Sequence, residues 1–316
     1  MMVRRSLRAS LLDHPLFFAP VLPSLRSPAH RIAERVDETA RLLLHIPRVD
    51  AIYVPELVEE NHEGRPRYRT YDPREYVVHL TSRTGYPGIV TKVVAHFETV
   101  TALRDWTERT VRMGALNVVL VGGSSSRIPY PGPSVEEADR TVVPILESVG
   151  GVVGNIAIPR RADEASRMLR KTKAGVVFLT TQLLFEAQSV IGAIQAYGRL
   201  CKDAKIAPAT VVLSFAPLGD EDDIDFVRWL GAHLPEEIEQ ALLQDEQALS
   251  RRSVELALSV WTEVVSATAT AGVPLGVSVE QVSARHLVSA RDLLTSFGSL
   301  LPPAPPSAPS SQSRSV

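Results

Sequence analysis

Two carboxylates, one carboxamide and a pair of guanidinium groups stand in this 316-residue chain just where short apolar runs end. Glu56 follows AIYV in YVPEL, Glu280 closes PLGVSVE, Gln182 follows VVFLT in TTQ, and Arg160-Arg161 follow GNIAIP. A partly desolvated carboxylic acid keeps its proton toward neutrality and can protonate a departing amine. The Gln182 amide sets a donor beside an acceptor and can pair with the edge of a heterocycle. Adjacent arginines suit phosphates or carboxylates. Each has a plainer reading: Glu56 as one of an acidic loop cluster with Glu59 and Glu60, Glu280 as a helix cap or ion-pair partner, and Arg161 as the i,i+3 partner of Glu164. A helix-capping role is open to Thr181 but less natural for Gln182. Gly122 and Gly123 end another run and leave room for a ligand to approach the backbone, with the Ser124 hydroxyl beside them; a tight turn is the alternative. His96, Phe185 and Phe215 are each either ligand contacts or ordinary buried side chains.

Several chemistries are excluded. There is no G-x-G-x-x-G, no G-x-x-x-x-G-K-[ST] and no H-E-x-x-H, and the eight histidines never fall in metal-ligand spacing, so no metal is expected. GGSSS at 122–126 is not a nucleophile elbow, because Ser124 follows Gly123 directly. The single cysteine, Cys201, rules out an intramolecular disulfide and a Cys-rich zinc site.

Such groups need elements to position them. The chain is 45% apolar, enough for a full core. Apolar runs predict strands at 16–19, 51–54, 90–97, 117–121, 152–158, 176–180, 210–215 and 274–279. Helical spacing predicts helices at 29–45, 101–113, 135–149, 163–171, 186–201, 235–271 and 284–297. Runs such as Val118–Val121 are apolar on both faces, as buried parallel strands are. Eight strands with helical crossovers match a (β/α)8 TIM-type barrel in an α/β class, with an open doubly wound sheet as the alternative. Pro55–Arg74, polar and charged, reads as a long loop at the face where barrel enzymes keep their active sites. Residues 14–298 form the expected catalytic domain, between a flexible segment 1–13 and a disordered Pro/Ser-rich tail 299–316. With 34 Lys+Arg against 36 Asp+Glu and no basic stripe, nucleic acid is not an expected partner. No apolar run is long enough to span a membrane, and Arg4, Arg5 and Arg8 are followed by no signal-type apolar segment, so a cytoplasmic protein is expected.

One stretch carries a family likeness. KTKAGVVFLTTQLLFEA, Lys171 to Ala187, resembles the K-x-x-x-G-A-x-F-x-x-T-Q-x-x-F-D stretch of methylenetetrahydrofolate reductases. GNIAIPRR at 154–161, VVLSFAPLG at 211–219 and the segment from Ala95 to Gly123 are similar to that family in the same order. The resemblance implies a barrel that binds a tetrahydrofolate derivative, with Gln182 and Thr181 on the pterin and Phe185, His96 and Phe215 on the substrate side. Three flavin-contacting features of that family are missing. LFFAPVLP at 16–23 lacks the first-strand acid, Val121-Gly122-Gly123 replaces R-G-D, and Pro159-Arg160-Arg161 replaces P-E-x-H. FAD is therefore not expected. Lys171, a flavin contact in those relatives, reads here as a solvated residue at a helix end.

A short actinobacterial branch described as flavin-independent is more similar, through Ile158, Pro159, Arg161, Glu164 and Arg167, the TQLLF run, LSFAPLG, and Arg251 to Glu280. It implies direct hydride transfer from NAD(P)H. On the residues' own chemistry Glu56, with Glu280 second, is the candidate acid, and Arg160, Arg161, Gly122, Gly123 and Ser124 are candidate contacts of the nicotinamide co-substrate. Two other readings stand beside it: a folate-dependent enzyme that passes the one-carbon unit to another acceptor, as in specialised metabolism, and a non-catalytic folate-binding barrel.

Overall fold

The computed structural model describes residues 5–125 and 127–302. The expected tail beyond residue 302 lies outside the described residues.

Eight parallel strands close into a barrel: β1 (Leu16–Ala19), β2 (Ala51–Val54), β5 (Gly88–Val93), β6 (Asn117–Val121), β7 (Val152–Ala157), β8 (Phe178–Leu183), β9 (Thr210–Phe215) and β10 (Leu275–Glu280). Every strand pairs with its sequence neighbour in the barrel, and β10 returns to pair with β1, so no edge is left. The alternative open sheet is thereby excluded. Alternate residues point inward: Phe17, Tyr53, Ile89, Val119, Val152, Phe178 and Val212 fill the interior as one buried cluster. Phe17 meets Phe178 edge-on, with ring centroids 5.8 Å apart. Gly154 on β7 makes room for that ring, because a Cβ there would stand 2.3 Å from Phe178.

The opposite faces of the strands pack against the surrounding helices α2 (Ala29–Leu43), α3 (Pro73–Thr84), α4 (Val100–Arg112), α5 (Val135–Glu147), α6 (Glu164–Lys173), α7 (Gln188–Ala204), α10 (Leu249–Thr268) and α11 (Leu287–Leu300). Where the chain departs from the expected elements, the causes are local. β5 stops at Val93 rather than continuing to Phe97, and Val94–His96 turns as a 3₁₀ segment. The polar stretch 55–74 contains an antiparallel hairpin, β3 (Val58–Glu60) with β4 (Pro66–Tyr68), and leads into α3, which Asp72 caps by accepting from the Arg74 amide. The helical stretch expected over 235–271 divides into α9 (Glu236–Leu243), a 3₁₀ turn and α10, and is preceded by α8 (Glu221–Trp229), which Asp220 caps.

The segment read as flexible is in part held by the fold. Leu7–Ser10 form a helical turn, α1, whose Leu7, together with Leu11, is buried in the barrel-interior cluster. The Leu11 carbonyl accepts from Thr210 Oγ1 at 2.8 Å, and Thr210 opens β9. The turn therefore closes the end of the barrel opposite the one where the strands finish. No helix among the described residues is long and apolar enough to cross a membrane.

Candidate functional site

Where the strands finish, an axial cavity of about 240 Å³ opens. Its floor is polar: Tyr53 from β2, Thr91 from β5, Thr181 and Gln182 from β8, and Glu280 from β10. Its walls are apolar, with Leu22 and Leu57 from loops and Phe226 and Leu230 from α8 and its end. An apolar pocket with a few convergent polar groups is the usual form of a small-molecule site.

Glu280 is the acid of this cavity. Burial pushes its carboxyl up to about 7, against the pull of the Ser214 hydroxyl, so near neutrality it is a proton donor. The register sets it beside Ala19 on β1. No carboxylate stands on β1 itself, so within this part of the cavity the acid comes from β10.

Gln182 lies next to a register irregularity between Thr180 and Leu183, and its carboxamide makes no hydrogen bond with any described residue. Thr181 is already engaged: its Oγ1 accepts from the Ser214 amide at 3.0 Å and ties β8 to β9.

Glu56 does not converge on the same space. Its Oε1 accepts from Lys92 Nζ at 2.6 Å and its Oε2 from the Val93 amide at 2.7 Å. Lys92 alternates with the inward Thr91 and faces out of the barrel, within 6 Å of the ring centres of Tyr68, Phe97 and Trp106. The pair is nearly inaccessible, at 6% and 11% exposure, and lines a separate cavity of about 310 Å³ with Arg74 and Asp72. The Lys92 ammonium and the Val93 amide together fix the Glu56 carboxylate there.

The remaining expected residues fall into three places. Phe185 is buried with Leu183, Ile224, Val227 and Leu242 beneath the α8–α9 segment, and Phe215 stacks on Phe297 at 5.4 Å, so both serve packing. His96 lies beyond β5 rather than within it and pairs through Nε2 with Glu60 Oε1 at 2.7 Å. Ser124 and Tyr130 both donate to Glu60 Oε2, at 2.6 and 2.5 Å. These hydrogen bonds from Ser124, Tyr130 and His96 outweigh burial, the largest single influence, and hold the Glu60 carboxyl below its ordinary range. The Ser124 hydroxyl is therefore spent on pinning the β3–β4 hairpin. Gly123 admits the Tyr130 ring, 2.2 Å from where a Cβ would stand, so the close approach it permits is to a side chain. Gly122, by contrast, has only Val135 near, at 3.4 Å.

Arg160 and Arg161 sit in the turn after β7, half exposed, with Glu186 and Glu164 at 3.9 and 4.0 Å. Lys171 is not solvated. It is buried, donates to the Ile156 carbonyl at 2.6 Å and lies 3.6 Å from Glu164. Burial lowers its pKa against the attraction of Glu164 and Asp139. Asp220, Asp223 and His286 bring three potential metal-ligand atoms within 4.8 Å of one another. Arg285 Nη2, 3.0 Å from Asp220, already supplies a cation to that group.

Tyr53 and Lys92 are the site features that sequence reasoning missed. The alternation of Tyr53 with Ile52 and of Thr91 with Lys92 was the available signal for which faced inward.

No protein-family model matches the chain, and no curated protein matches it in sequence. Solved structures do. A Clostridium thermocellum protein that binds two copies of 5-methyl-5,6,7,8-tetrahydrofolic acid superposes with a TM-score of 0.75 at 18% identity, over 93% of this chain and 98% of the other. Oxaloacetate acetylhydrolase, solved with oxalate, is a more distant likeness, with a TM-score of 0.48 at 12% identity over 86% and 78% of the two chains. At 18% identity the first of these speaks for the fold, the closed eight-stranded barrel described above.

Proposed function

We propose that the chain binds a reduced folate with its pterin in the axial cavity and reduces 5,10-methylenetetrahydrofolate to 5-methyltetrahydrofolate without a flavin. The observation that carries this reading is Glu280, an acid that keeps its proton to about pH 7 at the mouth of the barrel. Its proton goes to the N10 amine as the imidazolidine ring opens, which leaves the one-carbon unit as an iminium on N5. NAD(P)H supplies the hydride that turns this unit into a methyl group. Gln182, with its carboxamide unspent among the described residues, anchors the pterin edge. The pair at the β7 turn, Arg160 and Arg161, is assigned to the co-substrate phosphates, which fits their exposure and charge.

Support comes from the order of family-like segments in the sequence and from the folate bound by the C. thermocellum protein of the same fold. In this reading Glu280 takes over the work of the absent first-strand acid. A second reading, folate binding with transfer of the one-carbon unit to another acceptor or with no chemistry, draws on the lack of any acid in LFFAPVLP at 16–23. Purified protein given NADH or NADPH with 5,10-methylenetetrahydrofolate separates them. Loss of absorbance at 340 nm with 5-methyltetrahydrofolate as product, from a colourless preparation, supports the reductase. Folate binding without NAD(P)H oxidation supports the second reading, and a preparation with one flavin per chain refutes the flavin-free mechanism.

A further inference from the structure

The axial cavity holds a second proton donor. Tyr53 is 4% exposed, and its hydroxyl accepts from Thr91 Oγ1 at 2.9 Å. With Thr91 on the acceptor side, the phenolic proton has no acceptor among the described residues, and both Tyr53 and Thr91 line the cavity. Burial, and then the nearby Glu280, hold the phenol protonated well above its ordinary range. Placement is set by the strands. β1 lies between β2 and β10, and on β1 the small Ala19 pairs with Glu280 and follows Phe18, the partner of Ile52. Tyr53 and Glu280 therefore flank Ala19 in one layer and leave a ligand-sized opening over its methyl group. Gln182 on β8 is four strands from Tyr53 in either direction round the barrel, so a ligand that reaches both of them spans the axis.

We propose that Tyr53 is a ligand-binding and specificity residue that donates its phenolic proton to the pterin 4-carbonyl oxygen of the folate. The inference rests on the reading of the site given above. In a pterin that oxygen lies next to N5, the nitrogen that carries the one-carbon unit, so a ligand with N5 and N10 near Glu280 brings the carbonyl to the neighbouring donor. A fixed O–H donor accepts a carbonyl and rejects an amino group at the same position. The site therefore selects 4-oxo over 4-amino pteridines. An unmet buried donor is what makes such discrimination large.

The test measures Kd by calorimetry for 5-methyltetrahydrofolate, and for folic acid against its 4-amino counterpart aminopterin, in the parent, Tyr53→Phe and Thr91→Val. The parent is expected to prefer the 4-oxo ligand. Tyr53→Phe should weaken 5-methyltetrahydrofolate about tenfold and shrink the oxo-to-amino preference by about the same factor. Thr91→Val, which frees the phenol to rotate, should shrink the preference partially and keeps the test open if Tyr53→Phe does not fold. A merely structural tyrosine would lower both affinities equally and leave the preference unchanged. An unchanged preference in a folate-binding protein therefore overturns this inference alone. A parent that binds no pterin overturns the folate reading and this inference with it.

Discussion

Replacing Glu280 by glutamine separates the acid's chemical role from its effect on the fold, and both consequences have a size. In the barrel the carboxyl titrates at about 7, against an ordinary value of 4.5. Between those pH values the folded chain holds a proton that the unfolded chain has released, so this group makes stability fall as pH rises. At 1.36 kcal/mol for each tenfold difference in proton affinity, the loss is on the order of 3 kcal/mol once the pH exceeds about 7, and it vanishes below about 4.5. Glutamine does not ionise and escapes it. Glu280→Gln should therefore match the parent in thermal melts at pH 4 and outlast it by several degrees at pH 8, with the gap opening between pH 5 and 7. Asp139, which burial also pushes up, to about 6, is present in both proteins and cancels in the difference. The same variant should lose roughly 10²–10⁴-fold in kcat with folate KM little changed, because a proton transfer is removed from the transition state alone. Placing an acid on the neighbouring strand beside that position, Ala19→Glu in the Glu280→Gln background, should restore part of kcat. If the stability gap does not grow with pH, Glu280 is an ordinary carboxylate and the acid assignment fails; if kcat survives the substitution, the proton comes from elsewhere.

The other expectations address the groups around it. Gln182→Ala should weaken folate binding by about 1–3 kcal/mol with kcat largely kept, measured by calorimetry and saturation kinetics. Glu56→Gln should cost about 3–5 kcal/mol of stability by stranding the buried Lys92 ammonium while kcat per folded molecule persists, as denaturant titration beside the activity assay would report; a selective loss of kcat would return the acid role to Glu56. Because the Glu60 carboxyl is held below its ordinary range, its contribution is present above that range and fades as pH falls through the lowered value. Tyr130→Phe removes one of its donors and should speed proteolysis within residues 61–65 at neutral pH, with the parent approaching the variant in acid.

The barrel was legible because the strands buried on both faces read as apolar runs and the helices between them repeat with helical spacing. What the apolar pattern did not show were elements held by polar chemistry. α3 begins with Asp72 and Pro73, a cap and a first-turn proline, but its middle lacks a strong apolar stripe. α8 opens with three acids after its Asp220 cap and was hidden in a charged run. Glu280 was readable as a strand-end group because it directly follows an apolar run whose alternation continues through it, whereas Gln182 lies in β8 only because that strand runs past the expected end at Thr180 through a register irregularity. Glu56 lies two residues beyond its strand, where parity no longer fixes direction, and the lysine that turns it outward is 36 positions away. The Ser124 hydroxyl was unreadable for the same reason, since Glu60, which it pins, is 64 positions away.

The pairing of β1 with β10 bears on how the chain is made. Leu16 leaves the ribosome long before Val277, its permanent neighbour on one side, so β1 keeps that edge unsatisfied while every strand between them is made. The α1 turn ahead of it can settle against Thr210 only when β9 has emerged. Closure thus waits for β10 to be made, and the nascent chain must shelter an exposed strand edge until then. A chain released before residue 275 would carry most of the helices and strands but no ring, with both edges open to pairing with other chains.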